Sequence, residues 1–263
     1  METPARRPTL AVHKFSSCDG CQLSLLDLEE HLLTLTERVD IAFFREATSR
    51  TSPGPWDLVL VEGSISSARQ VREIHEVREQ ARLLVTIGAC ATAGGVQALR
   101  NFTAARDVGA PVDPAWAAHA YPRPELLDSL ARSRPVSDFV PVDYELHGCP
   151  VDKGELLEVV LAFLDERRPA IADESVCAAC KRRGTPCLPV TRGIPCMGPV
   201  TRSGCGAICP AYGRGCYGCF GPKEHARVDV LDRAWRDAGL DAETRRRLRQ
   251  GIQGWAPPFR ELP

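Results

Sequence analysis

No apolar run in this chain comes near the about 20 residues that cross a bilayer. The longest, such as Leu58–Val61 and Leu83–Ile87, have the length of strands, so no membrane span or membrane partner is expected. The opening residues METPARRPTL lack the apolar stretch and small-residue cleavage site of an export signal, and none is expected. Arg6-Arg7 without such a stretch reads as a solvated terminus. Excess charge is missing too. The 33 Lys and Arg face 34 Asp and Glu, a net charge of -1, which gives no basic field for nucleic acid or an anionic surface. There is no G-x-G-x-x-G after a strand, no phosphate loop and no nucleophile–base pair. Dinucleotide binding and nucleophilic catalysis therefore have no visible site.

What the chain has in quantity is cysteine, twelve in 263 residues. A disulfide framework needs an oxidising compartment and usually a small secreted scaffold. A cytoplasmic location is the expectation here, and clustered thiols kept reduced more often bind metal.

The first half alternates short apolar runs with helical patterns, which predicts an α/β fold with a largely parallel sheet. Strands are expected at Leu10–Phe15, Val39–Phe44, Leu58–Val61 and Leu83–Ile87, with a turn at Ser52–Pro55. Leu25, Leu28, Leu32 and Leu35 predict one helix, and residues 67–81 a charged surface helix. Residues 101–124, rich in proline and alanine, read as a long connection, and Val136–Leu146 as a further strand. A helix should open at Asp152, with Glu155 completing a capping pattern, and run to about Arg168. The expected layout is a sheet domain over 1–170, an irregular cysteine-rich domain over 171–223 and a helical tail over 224–263. In the tail, Arg245-Arg246-Arg247 reads as a solvated helix face.

The cysteines fall into two sets. Cys18, Cys21, Cys90 and Cys149 are dispersed, with 2, 68 and 58 residues between successive members, and each follows a strand-like run. Carboxyl ends of strands in an open α/β sheet converge on one edge, so these four can meet. Cys90, in GACATAGG, reads as a thiol in a glycine-rich loop. The second set is compact: Cys177, Cys180, Cys187, Cys196, Cys205, Cys209, Cys216 and Cys219 lie within 43 residues. This segment is too poor in apolar residues to offset its ordering entropy by burial, so bound metal is expected to hold it. Twelve thiols divide into three quartets with none over, as three cubane clusters require. On spacing alone, structural zinc at four-cysteine sites stays open for the second set, as do disulfides or free thiols.

Several motifs together resemble the small subunit of [NiFe] hydrogenases. They are Cys18-Asp19-Gly20-Cys21, Val61-Glu62-Gly63-Ser64-Ile65, Ile87-Gly88-Ala89-Cys90-Ala91-Thr92 with Gly94-Gly95-Val96, and His147-Gly148-Cys149-Pro150. Pro195-Cys196-Met197-Gly198-Pro199-Val200-Thr201 and Cys216-Tyr217-Gly218-Cys219 follow in the family's order. The resemblance implies a flavodoxin-like N-terminal domain and three [4Fe-4S] clusters. It assigns Cys18, Cys21, Cys90 and Cys149 to a proximal cluster, Cys177, Cys180, Cys187 and Cys196 to a distal one, and Cys205, Cys209, Cys216 and Cys219 to a medial one. In the periplasmic members a histidine stands where Cys177 stands and a proline where Cys209 stands. Full cysteine ligation here implies three low-potential four-iron centres.

These departures resemble the cytoplasmic hydrogenases that exchange electrons with NAD(P), the NADP-linked sulfhydrogenase delta-subunit type above all. The resemblance implies a large-subunit partner carrying the nickel–iron centre. It also implies further iron–sulfur and FAD- or NAD(P)-binding subunits forming a diaphorase module, with this chain transferring electrons and not itself catalytic. A weaker resemblance is to the 20 kDa-type iron–sulfur subunit of complex I, which has adjacent cysteines in place of Cys18-x2-Cys21 and no segment like 173–222. A zinc-stabilised interaction scaffold without redox function is the reading from another class. Glu62 is expected as a hydrogen-bonded or solvated acid at the strand edge, with a part in tuning the cluster or in proton movement as the alternative. His147 is expected as a supporting or surface neighbour of the ligands and not one of them.

Overall fold

The structure is a computed structural model that describes residues 6–102, 117–119 and 121–261. Most of the connection read over 101–124 lies outside the described residues. Five parallel strands, β1 (Thr9–Lys14), β2 (Asp40–Phe44), β3 (Trp56–Glu62), β4 (Ala81–Ile87) and β5 (Tyr144–Leu146), lie in the order β2-β1-β3-β4-β5. This is the parallel α/β sheet expected from the alternation of apolar runs.

The register explains why the central strands read as unbroken apolar runs. Val12, Leu60, Val85 and Tyr144 sit side by side across four strands. They pack against Leu25, Leu35, Leu156 and Val159 of helices α1 (Gly20–Leu26), α2 (Glu30–Arg38) and α5 (Lys153–Leu164). The alternate row, Ala11, Val59 and Leu84, faces Ile74 and Val77 of α3 (Ala68–Gln80). A strand covered on both faces loses the polar alternation of a half-exposed one.

Three local expectations change. The leucine stripe at 25–35 is split: α1 ends at Leu26 and α2 begins at Glu30, with Glu29 at φ 53 between them. The run Val136–Leu146 pairs with the sheet only through β5, because Val136–Asp138 forms a 3-10 turn. Pro135 and Pro141 cannot donate to a ladder, and just ahead of β5 Asp143 N donates to Leu84 O at 2.9 Å while its Oδ2 accepts from Leu84 N at 2.7 Å. Asp152 does cap α5, accepting from Glu155 N at 3.0 Å. That helix stops at Leu164, ahead of Glu166 at φ 52, and not at Arg168.

Beyond the sheet the elements shorten. Helices α6 (Val176–Arg182), α7 (Leu188–Arg192) and α8 (Ile208–Ala211) carry the cysteine-rich segment. Helices α9 (Val228–Asp237), α10 (Ala242–Arg249) and α11 (Pro257–Arg260) form the tail. Val228, Trp235 and Phe259 of the tail pack directly on Val176, Cys196, Met197 and Cys216. The arginine run in the tail is only partly solvated. Arg246 and Arg247 pair with Glu243 on the surface, but Arg245 Nε turns inward to Asp232 Oδ2 at 3.1 Å. Among the described residues no helix is long and apolar enough to cross a membrane.

Candidate metal centres

The strand order reverses direction between β1 and β3, and in open α/β sheets a crevice opens beyond the carboxyl ends at such a point. Cys18 and Cys21 follow β1, Glu62 closes β3, Cys90 follows β4 and Cys149 follows β5. Ala89 N donates to Gly148 O at 2.7 Å, tying the Cys90 segment to the Cys149 turn. A Cβ on Gly20 would lie 3.5 Å from both Cys18 Sγ and Pro150 Cβ, so the first and last loops also meet. Gly88 is required here: its φ is +84 and a Cβ would come within 2.3 Å of Cys21 Sγ. Cys90 lies on a short helix, α4 (Gly88–Ala93), and not in the loop expected.

The sulfurs share one electrostatic environment. Burial, with Cys149 and Cys18 adding to it, pushes the Cys90 thiol up to about 12. Burial first, then Glu62, Cys90 and Cys149, drives Cys21 still higher. Glu62 is 2% exposed and accepts from Cys21 N at 3.1 Å, Gln22 N at 3.3 Å and Gln22 Nε2 at 2.9 Å. Its burial raises its pKa. Of the hydrogen-bonded and solvated expectations for Glu62, the hydrogen-bonded one holds. His147 is neutral near pH 7, because burial and then Arg202 bring its pKa down to about 4.

The late cysteines form two further groups. Cys177, Cys180, Cys187 and Cys196 line a cavity of about 90 Å³ together with Leu188 and Pro199. A Cβ on Gly198 would stand 3.3 Å from Cys196 Sγ and 3.4 Å from Cys177 Sγ. Cys196 Sγ accepts from Cys216 N at 3.1 Å and Gly198 N at 3.4 Å. In the other group burial pushes Cys216 and Cys219 up to about 12, with Cys205 and Cys209 contributing at Cys219. Gly218 N donates to Cys216 Sγ at 3.4 Å.

The groups also lie in a definite order. A Cβ on Gly221, two residues after Cys219, would stand 3.3 Å from His147 Nδ1, two residues before Cys149, whereas Cys216 N donates to Cys196 Sγ at 3.1 Å. The group of Cys205, Cys209, Cys216 and Cys219 therefore lies between the other two.

No disulfide joins any of the twelve cysteines in the structure. Among the described residues no three Cys, His, Asp or Glu side chains converge closely enough for a single ion. The donor set fits iron–sulfur clusters: soft sulfurs in fours, several of them buried where a lone thiolate is disfavoured, with backbone amides aimed at Cys196 and Cys216.

Three supporting residues escaped the sequence reading. Gln97 accepts from Cys90 Sγ at 3.5 Å and donates to Ser16 O at 2.8 Å. Gln22 holds Glu62. Gln253, 1% exposed, reaches from the tail to Cys219 O at 3.5 Å. Only the motif context around Cys21 and Cys90 could have flagged the first two. Nothing local marks Gln253.

Residues 18–163 match the family described as NADH ubiquinone oxidoreductase, 20 Kd subunit. The chain is 36% identical over 242 residues to sulfhydrogenase 2 subunit delta of Pyrococcus furiosus, covering 91% of this chain and 97% of that one. The chain belongs to this family, among its [NiFe] hydrogenase small subunits. It is 31% identical to a vhu subunit of the F420-non-reducing hydrogenase of Methanocaldococcus jannaschii, over 81% of this chain and 83% of the relative. A crystal structure of an NAD+-reducing [NiFe]-hydrogenase matches at TM-score 0.53 and 29% identity, over 64% of this chain and 96% of that one. The fold is shared with the Ni-Fe-Se hydrogenase of Desulfomicrobium baculatum, at TM-score 0.53 and 16% identity, over 86% of this hydrogenase subunit and 98% of that chain. The complex I resemblance is confined to the sheet part: the matched residues end at 163, ahead of the late cysteines. As a hydrogenase subunit, the chain is a component of an oxidoreductase complex.

Proposed function

We propose that the chain is the electron-transfer subunit of a cytoplasmic [NiFe] hydrogenase and holds three [4Fe-4S] clusters. Cys18, Cys21, Cys90 and Cys149 would bind the proximal cluster, Cys205, Cys209, Cys216 and Cys219 the medial, and Cys177, Cys180, Cys187 and Cys196 the distal. The observation that carries this reading is the order of the sulfur groups, with the Cys219 loop against the His147–Cys149 turn and the Cys216 amide on Cys196 Sγ. When bound, the clusters supply one-electron redox steps at potentials set by ligation, burial and hydrogen bonds to sulfur. The chain's own residues do the rest. The amides of Gly198, Cys216 and Gly218 favour charge on Cys196 and Cys216. Glu62 and Gln22 fix the Cys21 amide.

The partners on this reading are a large subunit carrying nickel and iron, and FAD- and NAD(P)-binding subunits with additional clusters. The relatives named for a sulfhydrogenase and an NAD-reducing hydrogenase support it. The zinc-scaffold reading is disfavoured by the dispersal of Cys18, Cys21, Cys90 and Cys149 along the chain, since structural zinc is usually held by locally spaced pairs.

Exchange of Cys209 for proline tests the grouping. In the purified complex, Cys209→Pro is expected to give a three-iron medial cluster with a higher potential, seen by electron paramagnetic resonance. Loss of the cluster nearest the nickel site instead would show the grouping to be wrong.

A further inference from the structure

The cysteine-rich segment has a charge balance unlike that of the whole chain. Residues 175–222 contain six cations, Lys181, Arg182, Arg183, Arg192, Arg202 and Arg214, and no Asp or Glu. Two of the six are paired with acids just upstream. Arg182 Nη1 meets Glu174 Oε2 at 2.8 Å and Arg202 Nη1 meets Asp173 Oδ1 at 3.2 Å. Lys181, Arg183, Arg192 and Arg214 are exposed and form no ion pair among the described residues.

These four share one face. Lys181 lines the same cavity as Cys180 and Cys187. Arg183 Nη1 donates to Gly206 O at 3.1 Å, and Arg192 Nη1 would lie 3.3 Å from a Cβ on Gly213. The cations around the distal group thus lie across the loops of the medial group, next to Arg214. Apolar side chains open onto the same loops: Val190 is 83% exposed, Tyr212 78% and Ile208 51%. Cys187 is itself exposed.

Offsetting the charge of bound clusters could account for cations alone. Charges in open solvent are, however, screened within about 8 to 10 Å at ordinary salt. That explanation also leaves the exposed Val190, Ile208 and Tyr212 without a reason. Apolar centres rimmed by charge mark protein contact surfaces. A nucleic-acid backbone offers those apolar groups nothing to bury against.

We propose that this face is the electron exit and docks an acidic electron-accepting protein, the cluster-bearing subunit of the diaphorase module, for which a soluble acidic ferredoxin serves as the probe. Carboxylates of the acceptor meet Lys181, Arg183, Arg192 and Arg214, and its apolar centre covers Val190 and Tyr212. One electron leaves the reduced distal cluster and reduces the oxidised acceptor; no covalent bond forms or breaks. The inference rests on the proposed function above.

The test uses the full, cluster-loaded chain reduced with dithionite and two protein acceptors, an acidic plant-type [2Fe-2S] ferredoxin and a basic cytochrome c. Iron content and electron paramagnetic resonance are recorded first. The rate to ferredoxin should fall roughly 10-fold or more between about 50 and 300 mM salt. The variant Arg183→Glu/Arg192→Glu/Arg214→Glu should lower that rate about 10-fold at low salt and raise the rate to cytochrome c, with unchanged iron and spectra. Tyr212→Asp, a single change at an exposed side chain, probes the apolar centre should the triple variant lose its clusters; a severalfold slower ferredoxin rate is expected.

Loaded clusters with a ferredoxin rate indifferent to salt and to both variants would overturn this docking face alone. Tighter binding of a duplex oligonucleotide than of ferredoxin at the same salt would overturn it as well. A chain without iron would overturn the electron-transfer reading along with it.

Discussion

Around Leu60 the chain is closed by ordinary apolar packing, whereas around Cys196 the centre of the packing is itself made of sulfur donors. Leu60, Leu10, Leu58 and Val85 are essentially inaccessible, and leucine and valine side chains from three helices finish that core. In the second region Cys196 and Cys216 are members of the buried cluster, and helices of four to seven residues surround them. Such helices are too short to persist alone. The difference teaches where each set of sulfurs gets its position. Cys18, Cys21, Cys90 and Cys149 are placed by a sheet closed with ordinary apolar side chains, whereas the other eight belong to a segment whose packing centre includes its own sulfur donors.

Metal removal is the strongest way to break this comparison. After anaerobic chelation of iron, amide exchange in residues 176–222 should accelerate by about 100-fold or more. Amides of β1, β3 and β4 should keep their protection. Equal loss in both regions would show that the sheet also depends on metal.

The converse lesion is Leu60→Ala. Truncation at this inaccessible site should cost about 3 kcal/mol in urea unfolding of the sheet region, by the same amount with and without iron. An iron-dependent cost would mean that the two regions unfold as one.

A smaller effect comes from His13, which stacks on Phe43 at 4.3 Å on the sheet face away from α1. Burial first, and then Arg45, lower its pKa to about 4. The unfolded chain therefore binds a proton below about pH 6.5 that the folded chain refuses. Stability should be lost as pH falls from 7 to 5, by about 1 to 2 kcal/mol. His13→Phe, which keeps the ring, should remove that slope in thermal unfolding followed against pH. The smallest change expected is Asp152→Ala, about 1 kcal/mol from loss of the α5 cap, felt in the sheet region alone.

How much of this was legible in the sequence differs between the regions for physical reasons. β3 and β4 were readable because burial on both faces leaves apolar residues without interruption. The meeting of Cys18, Cys21, Cys90 and Cys149 followed from their positions after strands. The break between α1 and α2 was hidden, because the leucines keep their helical spacing across it while Glu29 turns the backbone. β5 was overestimated because its apolar pattern extends upstream through residues that prolines exclude from pairing. In the second region the eight thiols were obvious and their supports were not. Met197, Trp235, Gln253 and Phe259 act across tens of residues and through no motif.

The account stands or falls on what the twelve thiols hold. Mössbauer spectroscopy, with iron and acid-labile sulfide determined on the anaerobically purified chain, reads this directly. The account predicts about twelve irons and twelve sulfides per chain, all in four-iron clusters. One or two isolated tetrahedral ions with no sulfide, or iron confined to the four cysteines at the sheet edge, would contradict it.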